Sequence, residues 1–200
     1  MGTERKIIAI TGGIGTGKSV VSALLRVMGY EVYDCDAGAK RVMTQDEQLR
    51  QELIGIFGEK AFVQGELNRT YLSAQIFSDP TLLQRMNACV HPAVARDLMA
   101  HVETQGDGGG SVESPFFFES AILFESGFVG LVTPYEVWTV SAPLELRIER
   151  AMQRDGATRQ KVMSRIASQL SQEEKERRAD YVIVNDGQKS LIEQVRALLR

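Results

Sequence analysis

A glycine-rich segment near the amino terminus has the residue types and spacing of a phosphate-binding loop. In TGGIGTGKS, Gly12, Gly17, Lys18 and Ser19 satisfy the pattern G-x-x-x-x-G-K-[ST] between a predicted strand and a predicted helix. Glycines allow backbone N–H groups to cradle β- and γ-phosphate oxygens, and the helix N-terminus adds positive potential. Lys18 would place a charge on the transferred phosphoryl group, and the Ser19 hydroxyl is suited to Mg²⁺. A plain glycine-rich turn is the alternative, but the combination predicts a nucleoside triphosphate site.

Two aspartates close the second predicted strand, in the segment VYDCDAG. If the chain stays extended there, Asp34 and Asp36 face the same way, because side chains two positions apart share a face of a strand. In a sheet order that places this strand beside the phosphate-binding strand, both carboxylates would lie near the γ-phosphate. One of them could then accept the proton of an attacking hydroxyl. Capping of the following helix is the alternative role for acids at this position.

One glutamate and three arginines are further candidates for a phosphate and metal site. Glu119 ends the apolar run FFFE, the usual position of a second carboxylate on the metal side, with helix capping or a surface role as alternatives. Arg147, Arg150 and Arg154 lie at i, i+3 and i+7, on one face of a predicted helix. A guanidinium donates two hydrogen bonds to phosphate and keeps its charge. Pairing with acids on the same solvated helix is the alternative, yet we expect at least one arginine to reach the triphosphate.

Short apolar runs and helical stripes supply the elements that position these residues. Strands are predicted at 6–10, 31–34, 115–118, 135–140 and 181–184. Helices are predicted at 18–28, 144–152, 160–169 and 190–199, and Ser171 with Glu174 forms a capping box for another. The first strand, glycine turn, helix and strand make a βαβ unit and therefore a parallel sheet. The sequence thus predicts an α/β fold whose sheet core is interrupted by an insertion.

Residues 37–104 form this insertion and are predicted to be mostly helical. Its two apolar stripes comprise Leu49, Leu53, Ile56 and Phe57, and then Leu82, Leu83, Met86 and Val90. Gly65 predicts a turn between the stripes, and His91 with Pro92 predicts a break in the second one. A lone histidine such as His91 is more often structural than catalytic. The glycine-rich stretch at 106–110 indicates a flexible loop.

Length, composition and charge exclude several classes of protein. Two hundred residues with 44% apolar and 24% charged side chains are typical of a globular fold, not of disordered, collagen-like or coiled-coil chains. A net charge of −3 argues against nucleic-acid binding, although residues 141–178 carry nine basic and six acidic side chains, an excess that suits a small polyanion. The chain has no apolar run near the roughly 18 residues of a membrane span, no signal-type start and only two cysteines. We expect a cytoplasmic protein with no membrane contact.

Taken together, these segments resemble the dephospho-coenzyme A kinase family. The matching segments follow the family's order over nearly the whole chain: ITGGIGTGKS (10–19), YDCDAGAKRV (33–42), LNRTYLSAQIF (67–77), VHPAV (90–94), ESAILFESG (119–127), RAMQRD (150–155), RIASQ (165–169) and ADYVIVNDG (179–187). The glycine-rich loop alone is unspecific, whereas the Asp-x-Asp, His-Pro and Asn-x-Gly segments together are more specific. Two positions depart from the family pattern. Val20 stands where many members carry Thr, which leaves Ser19 to supply the hydroxyl, and Ala121 replaces a usual Pro.

The resemblance implies the P-loop fold of the nucleoside monophosphate kinases, a parallel sheet flanked by helices with a helical substrate insertion and a helical lid. Residues 1–36, 112–140 and 179–200 would form the nucleotide-binding core, 37–111 the acceptor domain and 141–178 the lid. The implied reaction moves the γ-phosphoryl group of ATP, with Mg²⁺, to the ribose 3′-hydroxyl of dephospho-coenzyme A. We expect a monomer or small homo-oligomer that binds these two small molecules.

The resemblance also assigns roles to single residues. Asp36 matches the family's general base, with Asp34 as its neighbour, and the implied catalytic group also includes Lys18 and Arg150. The implied ATP-binding residues are Gly13, Ile14, Gly15, Thr16, Gly17, Lys18, Ser19, Val20, Arg150 and Asn185. The implied acceptor-binding residues are Asp36, Arg41 and His91, and the implied metal ligands are Ser19 and Glu119.

Two alternatives of different kinds stay open at this point. Another small-metabolite kinase of the same fold, acting on a nucleotide or a sugar, would share the phosphate-binding loop. A GTP-binding regulatory switch would need the guanine-reading tetrapeptide N-K-x-D. No such tetrapeptide occurs, since Asn185 in VIVNDG is followed by Asp rather than Lys. The sequence therefore favours an ATP-dependent small-molecule kinase.

Overall fold

The computed structural model describes residues 5–106 and 114–200. The loop predicted at 106–110 lies outside the described residues apart from Gly106, which ends a helix. In chain order the strands are β1 (Ile7–Thr11), β2 (Val32–Asp34), β3 (Phe62–Val63), β4 (Glu66–Leu67), β5 (Phe116–Glu119), β6 (Glu136–Ser141) and β7 (Tyr181–Val184). The helices are α1 (Lys18–Val27), α2 (Cys35–Gln45), α3 (Glu47–Phe57), α4 (Arg69–Ser78), α5 (Pro80–Gly106), α6 (Phe128–Val132), α7 (Leu144–Asp155), α8 (Arg159–Ala167), α9 (Gln172–Arg178) and α10 (Leu191–Leu198), with a 3-10 turn at Glu59–Ala61. The five strands predicted from apolar runs are confirmed to within one residue at each end.

The first of two units, Met1–Asp34 with Gln105–Arg200, contains a five-stranded parallel sheet. Its strand order is β2-β5-β1-β6-β7, so β5 lies between β1 and β2. One strand order considered from the sequence places β2 directly beside β1, the strand that precedes the phosphate-binding loop. That order is wrong. The apolar run of β5 is buried at all three phenylalanines and suits a central position, whereas β2 has three residues and ends on exposed Asp34, as an edge strand does.

Side chains from one face of this sheet, together with residues of α1 and α10, form a buried core cluster. The buried cluster comprises Ile8, Ile10, Val21, Leu25, Phe117, Trp138, Val140, Ile183 and Val195. Trp138 packs edge-on against Phe117, with ring centroids 5.3 Å apart, and against Tyr181 at 6.5 Å. Helix α1 contacts β1, β2 and β5, while α9 and α10 contact β6 and β7. Helices on both faces explain why these strands are continuous apolar runs rather than alternating ones.

The second unit, Cys35–Thr104, is mostly helical, as predicted. The turn expected at Gly65 is confirmed as the tip of a hairpin between β3 and β4, where Gln64 and Gly65 have φ angles of 52° and 87°. The hairpin itself was not predicted, because strands of two residues are too short to show an alternating pattern. The division of the chain into core, acceptor domain and lid stays a prediction.

Helix α5 continues through Pro92, so the break predicted at that position is wrong. An interior proline removes one N–H donor and clashes with the preceding turn, at a cost of about 3 kcal/mol. The buried side chains on either side of it are Val90, Ala93, Val94, Ala95 and Leu98. Packing of these side chains offsets the local cost, because most helical stability in proteins comes from tertiary contacts. None of the described helices combines the length and apolar character needed to cross a membrane.

Candidate active site

The phosphate-binding loop, residues 12–17, connects the buried end of β1 to the first residue of α1. Gly15 and Gly17 have φ angles of 77° and 94°, a region that L side chains rarely adopt. A Cβ atom on Gly15 would clash with the backbone carbonyl of Arg147, and one on Gly17 would clash with the side chain of Asn185. These two glycines are therefore required both by the backbone conformation and by the close approach of neighbouring elements.

Several backbone N–H groups of the loop and of the start of α1 are available to a ligand. Within the part of the chain that the structure describes, the N–H groups of Gly15, Gly17 and Ser19 donate to no protein acceptor. Thr16 is fully buried, and its hydroxyl donates to the Gly13 carbonyl at 2.9 Å, which fixes the shape of the loop. Such N–H groups at a helix N-terminus make a binding site for anions, and here for phosphate oxygens.

Glu119, the last residue of β5, lies beside the start of α1. Its carboxylate accepts hydrogen bonds from Ser19 Oγ at 3.3 Å and from Ser22 Oγ at 2.6 Å. Asp34 is the in-register partner of Glu119 on β2, so two acids end adjacent parallel strands at one edge of the sheet. Hydroxyl and carboxylate oxygens fit Mg²⁺, which takes its remaining ligands from water and substrate phosphates. Ser22, which donates to the same carboxylate, was not predicted as a site residue.

Asp34 and Asp36 do not share a strand face, so that prediction is wrong. Strand β2 ends at Asp34 and α2 begins at Cys35, which places Asp36 in the first turn of a helix. Helix residues rotate by about 100° each, so the alternation that pairs positions two apart in a strand no longer applies. An acid in the first turn also interacts favourably with the helix dipole, which favours the helical start. Asp34 belongs to the first unit and Asp36 to the second.

Arg147, from α7, is bound directly to the phosphate-binding loop. Its side chain is buried, and its Nε donates to the Ile14 carbonyl at 3.1 Å. Burial lowers the pKa of Arg147, while nearby Glu173 and Glu176 act in the opposite direction. A guanidinium remains charged in proteins, so Arg147 places a fixed positive charge at the loop.

Arg150 and Asn185 form a second link to the loop. Arg150 donates to the backbone carbonyl of Asn185 at 3.1 Å and to its side-chain oxygen at 3.4 Å. Asn185 is buried, and its Nδ2 donates to the Thr16 carbonyl at 2.8 Å. Of the three arginines predicted on one helix face, Arg154 does not join this group, because it forms an exposed ion pair with Asp155 at 2.8 Å.

Gln169 and Gln172 also contact the loop, although neither was predicted as a site residue. Ile14 N–H donates to Gln169 Oε1 at 2.9 Å, and Gly13 N–H donates to Gln172 Oε1 at 3.4 Å. Glutamine side chains have no charge or spacing pattern that would indicate such contacts from sequence. The one available signal was that Gln169 closes RIASQ, a segment that contributes to the family resemblance.

A cavity of about 680 Å³ opens beside Arg147 at the carboxyl ends of β6 and β7. Ser141, Leu144, Val184 and Asp186 are among the residues that line it. Open parallel sheets bind ligands at this edge, outside the carboxyl ends of their strands. The mixed apolar and polar lining is suited to a nucleoside.

The predicted acceptor-binding residues lie in the second unit. Arg41, from α2, forms an ion pair with Asp97 from α5, and both line a cavity of about 330 Å³. Arg96 and Asp46 line the same cavity and pair at 3.4 Å. His91 is half-buried in α5 and is not among the residues that line this cavity. The roles of Arg41 and His91 toward the acceptor stay predictions.

The parallel sheet and the phosphate-binding loop between β1 and α1 are those of a P-loop nucleotide-binding protein. A family model described as dephospho-CoA kinase matches residues 6–190. A dephospho-CoA kinase from Bacteroides fragilis (strain YCH46) is 46% identical over 195 residues, which cover 96% of this chain and 90% of that protein. This chain belongs to the dephospho-CoA kinase family.

Solved structures agree with this fold. The structure of TT1252 from Thermus thermophilus aligns with a TM-score of 0.80 and 39% identity, covering 98% of this chain and 97% of that one. A dephospho-CoA kinase from Campylobacter jejuni aligns with a TM-score of 0.68 over 96% of both chains. Because its identity is 21%, that second likeness concerns the fold alone. The predicted P-loop α/β fold is confirmed.

Proposed function

We propose that this chain transfers the γ-phosphoryl group of ATP to the ribose 3′-hydroxyl of dephospho-coenzyme A, giving coenzyme A and ADP. The observation that carries the proposal is the family match over residues 6–190, which spans almost the entire chain. The phosphate-binding loop supports it, because its available N–H groups and adjacent arginines suit a triphosphate.

Lys18 and Arg150 are proposed to act on the transferred group. Phosphoryl transfer spreads negative charge over the γ-phosphate oxygens, so catalysis consists of positioning and electrostatic stabilisation. Lys18 begins α1 at the end of the loop, and Arg150 is oriented by its hydrogen bonds to Asn185. Residues 13–20 would surround the phosphates. Asn185 would line the adenine, a role supported by its position at the end of β7.

Asp36 is proposed as the general base for the acceptor. It would take the proton of the 3′-hydroxyl as the new O–P bond forms and ADP leaves. This role rests on the family motif that contains Asp36. Asp34 is better suited to the metal side, because it is the register partner of Glu119. Arg41 would bind the acceptor together with His91. The charged cavity beside Arg41 supports the assignment of Arg41, while that of His91 rests on the family motif alone.

Mg²⁺ is proposed as the metal, held by Ser19 and Glu119. The contact between their side-chain oxygens, at 3.3 Å, brings a hydroxyl and a carboxylate together beside the phosphate-binding loop. When bound, the ion neutralises charge on the phosphate oxygens. A cytoplasmic location and the absence of nucleic-acid binding are proposed from composition and charge alone. The monomeric or small homo-oligomeric state is proposed by analogy with the family.

A panel of donors and acceptors tests the proposed function. Purified protein receives Mg²⁺ with ATP or GTP, and nucleoside diphosphate release is measured with dephospho-coenzyme A, nucleoside monophosphates or sugars as acceptor. We expect the pair of ATP and dephospho-coenzyme A to have a kcat/KM at least about 10²-fold above every other pair. Preference for a nucleotide or sugar acceptor would establish a different small-metabolite kinase. A requirement for GTP without any acceptor would establish a regulatory switch.

A further inference from the structure

The first half of the phosphate-binding loop is held by side chains from a distant part of the chain. Gly13 N–H donates to Gln172 Oε1 at 3.4 Å, and Ile14 N–H donates to Gln169 Oε1 at 2.9 Å. The Ile14 carbonyl accepts from Arg147 Nε at 3.1 Å. Residues 147–172 thus satisfy three backbone groups at the start of the loop. The N–H groups that remain available to phosphate belong to its second half.

Gln172 uses both ends of its carboxamide. Its Oε1 accepts from Gly13, while its Nε2 donates to the Val140 carbonyl at 3.4 Å and to Glu176 Oε1 at 3.2 Å. Val140 belongs to β6, whose end lies against the loop, so Gln172 bridges a rigid strand and the first loop residues. A carboxylate at this position would accept but could not donate.

The short segment that carries both glutamines, residues 169–172, is itself fixed. Leu170 N–H donates to Glu125 Oε1 at 2.9 Å, and the same oxygen accepts from Lys175 Nζ at 2.5 Å. Lys175 is fully buried and also donates to the Ala121 carbonyl at 3.0 Å. Ser171 caps α9 by accepting from Glu174 N–H at 3.2 Å. A flexible surface segment would have none of these anchors, so the two glutamines are held in one place.

We infer that Gln169 and Gln172 are positioning residues, which hold the start of the phosphate-binding loop so that its remaining N–H groups converge on the phosphates of ATP. The inference rests on the proposed function only for the identity of the nucleotide. A preformed loop binds without the entropy cost of ordering its backbone. Loss of either carboxamide therefore weakens binding of the nucleotide, whereas binding of the second substrate is unaffected. Loss of the Gln169 carboxamide should weaken nucleotide binding more than loss of the Gln172 carboxamide, because the hydrogen bond of Gln169 to the loop is 0.5 Å shorter than that of Gln172.

If the two glutamines instead blocked the phosphate-binding loop, their substitution would have the opposite effect on nucleotide affinity. If the two carboxamide oxygens merely occupied N–H groups that the phosphates must later reach, their removal would tighten nucleotide binding. Methionine has nearly the length of glutamine but no strong acceptor, so Gln169→Met and Gln172→Met separate the two roles. Gln160→Met is the matched control, because Gln160 is an exposed residue of α8.

The experiment measures MgATP affinity by calorimetry without acceptor, together with the KM for dephospho-coenzyme A and the thermal midpoint. We expect Gln169→Met to raise the MgATP Kd about 3- to 10-fold, the net worth of one hydrogen bond. Gln172→Met should give a smaller rise, and Gln160→Met none. The KM for dephospho-coenzyme A should stay within about twofold of the unsubstituted protein in all three variants. An unchanged or lower MgATP Kd in folded Gln169→Met overturns the inference.

Amide hydrogen exchange in the nucleotide-free protein supplies a second readout that a general loss of stability would not reproduce. Exchange at Ile14 should accelerate at least about 10-fold in Gln169→Met and return toward normal in Gln169→Glu, which restores an oxygen acceptor. Equal exchange in all variants would show that the side chain does not hold the loop. These two readouts need no acceptor turnover. If dephospho-coenzyme A proves not to be the substrate, the proposed function fails while binding and exchange still decide the role of the glutamines.

Discussion

Asp34 and Asp36 are two positions apart, yet the structure gives them different surroundings. Asp34 ends β2 beside Glu119, which is proposed to hold the metal, whereas Asp36 is in the first turn of α2. A carboxylate that takes a proton needs its basicity, while one that supports a metal or a neighbour needs mainly its oxygens. Substitution by asparagine keeps size and shape and removes charge and basicity, so it separates these roles.

Asp36→Asn should fold and bind MgATP as the unsubstituted protein does, with turnover lower by at least about 10²-fold, because general-base help is lost. Asp34→Asn should reduce turnover by a smaller factor. Both variants are compared at saturating ATP and dephospho-coenzyme A, with MgATP affinity measured separately. If Asp34→Asn proves inactive while Asp36→Asn turns over normally, the base has been assigned to the wrong aspartate.

Arg150→Ala should reduce turnover more than it reduces acceptor binding. Its guanidinium is held by Asn185 next to the phosphate-binding loop, where a positive charge would stabilise the transferred group. We expect kcat to fall by at least about 10-fold, with dephospho-coenzyme A affinity little changed by calorimetry. Arg154→Ala is the matched control on the same helix, since that side chain pairs with Asp155. A loss confined to dephospho-coenzyme A affinity would move Arg150 to the acceptor site.

At the scale of elements, local patterns predicted most of what the structure contains. The five sheet strands were predictable because strands buried on both faces are apolar throughout, and the N-cap at Ser171 was predictable from residue type. The position of β5 between β1 and β2 could not be predicted, because strand order depends on contacts between distant segments. Gln169 and Gln172 could not be predicted as site residues for the same reason. Their contacts are with the phosphate-binding loop, which lies some 155 residues away in sequence.

The ion pair between Lys175 and Glu125 ties α9 to the segment after β5, and it should make stability depend on pH. Burial alone would raise the pKa of the Glu125 carboxyl, but hydrogen bonds from Lys175 and from Leu170 N–H hold it below the ordinary value of 4.5. A carboxyl whose pKa is lowered by folding stabilises the protein above its unfolded pKa. That stabilisation is lost as the pH falls through the folded pKa.

We therefore expect Glu125→Gln to be less stable than the unsubstituted protein at neutral pH, by about 1–3 kcal/mol. The difference should shrink as the pH falls from 4.5 toward the lowered pKa of the folded protein, where the unsubstituted protein loses the charge as well. Denaturant unfolding of both proteins at a series of pH values measures this difference in the free energy of unfolding. Lys175→Met, which removes the pair from the other side, should lose the same pH-dependent component. A difference that stays constant into acid would show that the pair is not ionic.

For the molecule as a whole, nucleotide binding should raise the thermal midpoint at which the first unit unfolds. Trp138 is the only tryptophan and is fully buried in the sheet core, so its fluorescence reports unfolding of this unit. MgATP near 100 times its Kd should raise the midpoint by about 5–10 °C, because it binds only the folded state. Lys18→Ala should keep the ligand-free midpoint and show less than about half of this shift at the same concentration. An equal shift in Lys18→Ala would contradict the assignment of the phosphate-binding loop.

Analysis of the product tests whether this protein transfers a phosphoryl group from ATP to dephospho-coenzyme A. Dephospho-coenzyme A and MgATP are incubated with the protein, and the product is analysed by mass spectrometry and phosphorus NMR, with Lys18→Ala as the control. We expect a mass increase of one phosphoryl group, one ADP per product, a new phosphomonoester on the ribose 3′-oxygen, and little product with Lys18→Ala. Unchanged dephospho-coenzyme A, or a phosphate on any other oxygen, would contradict it.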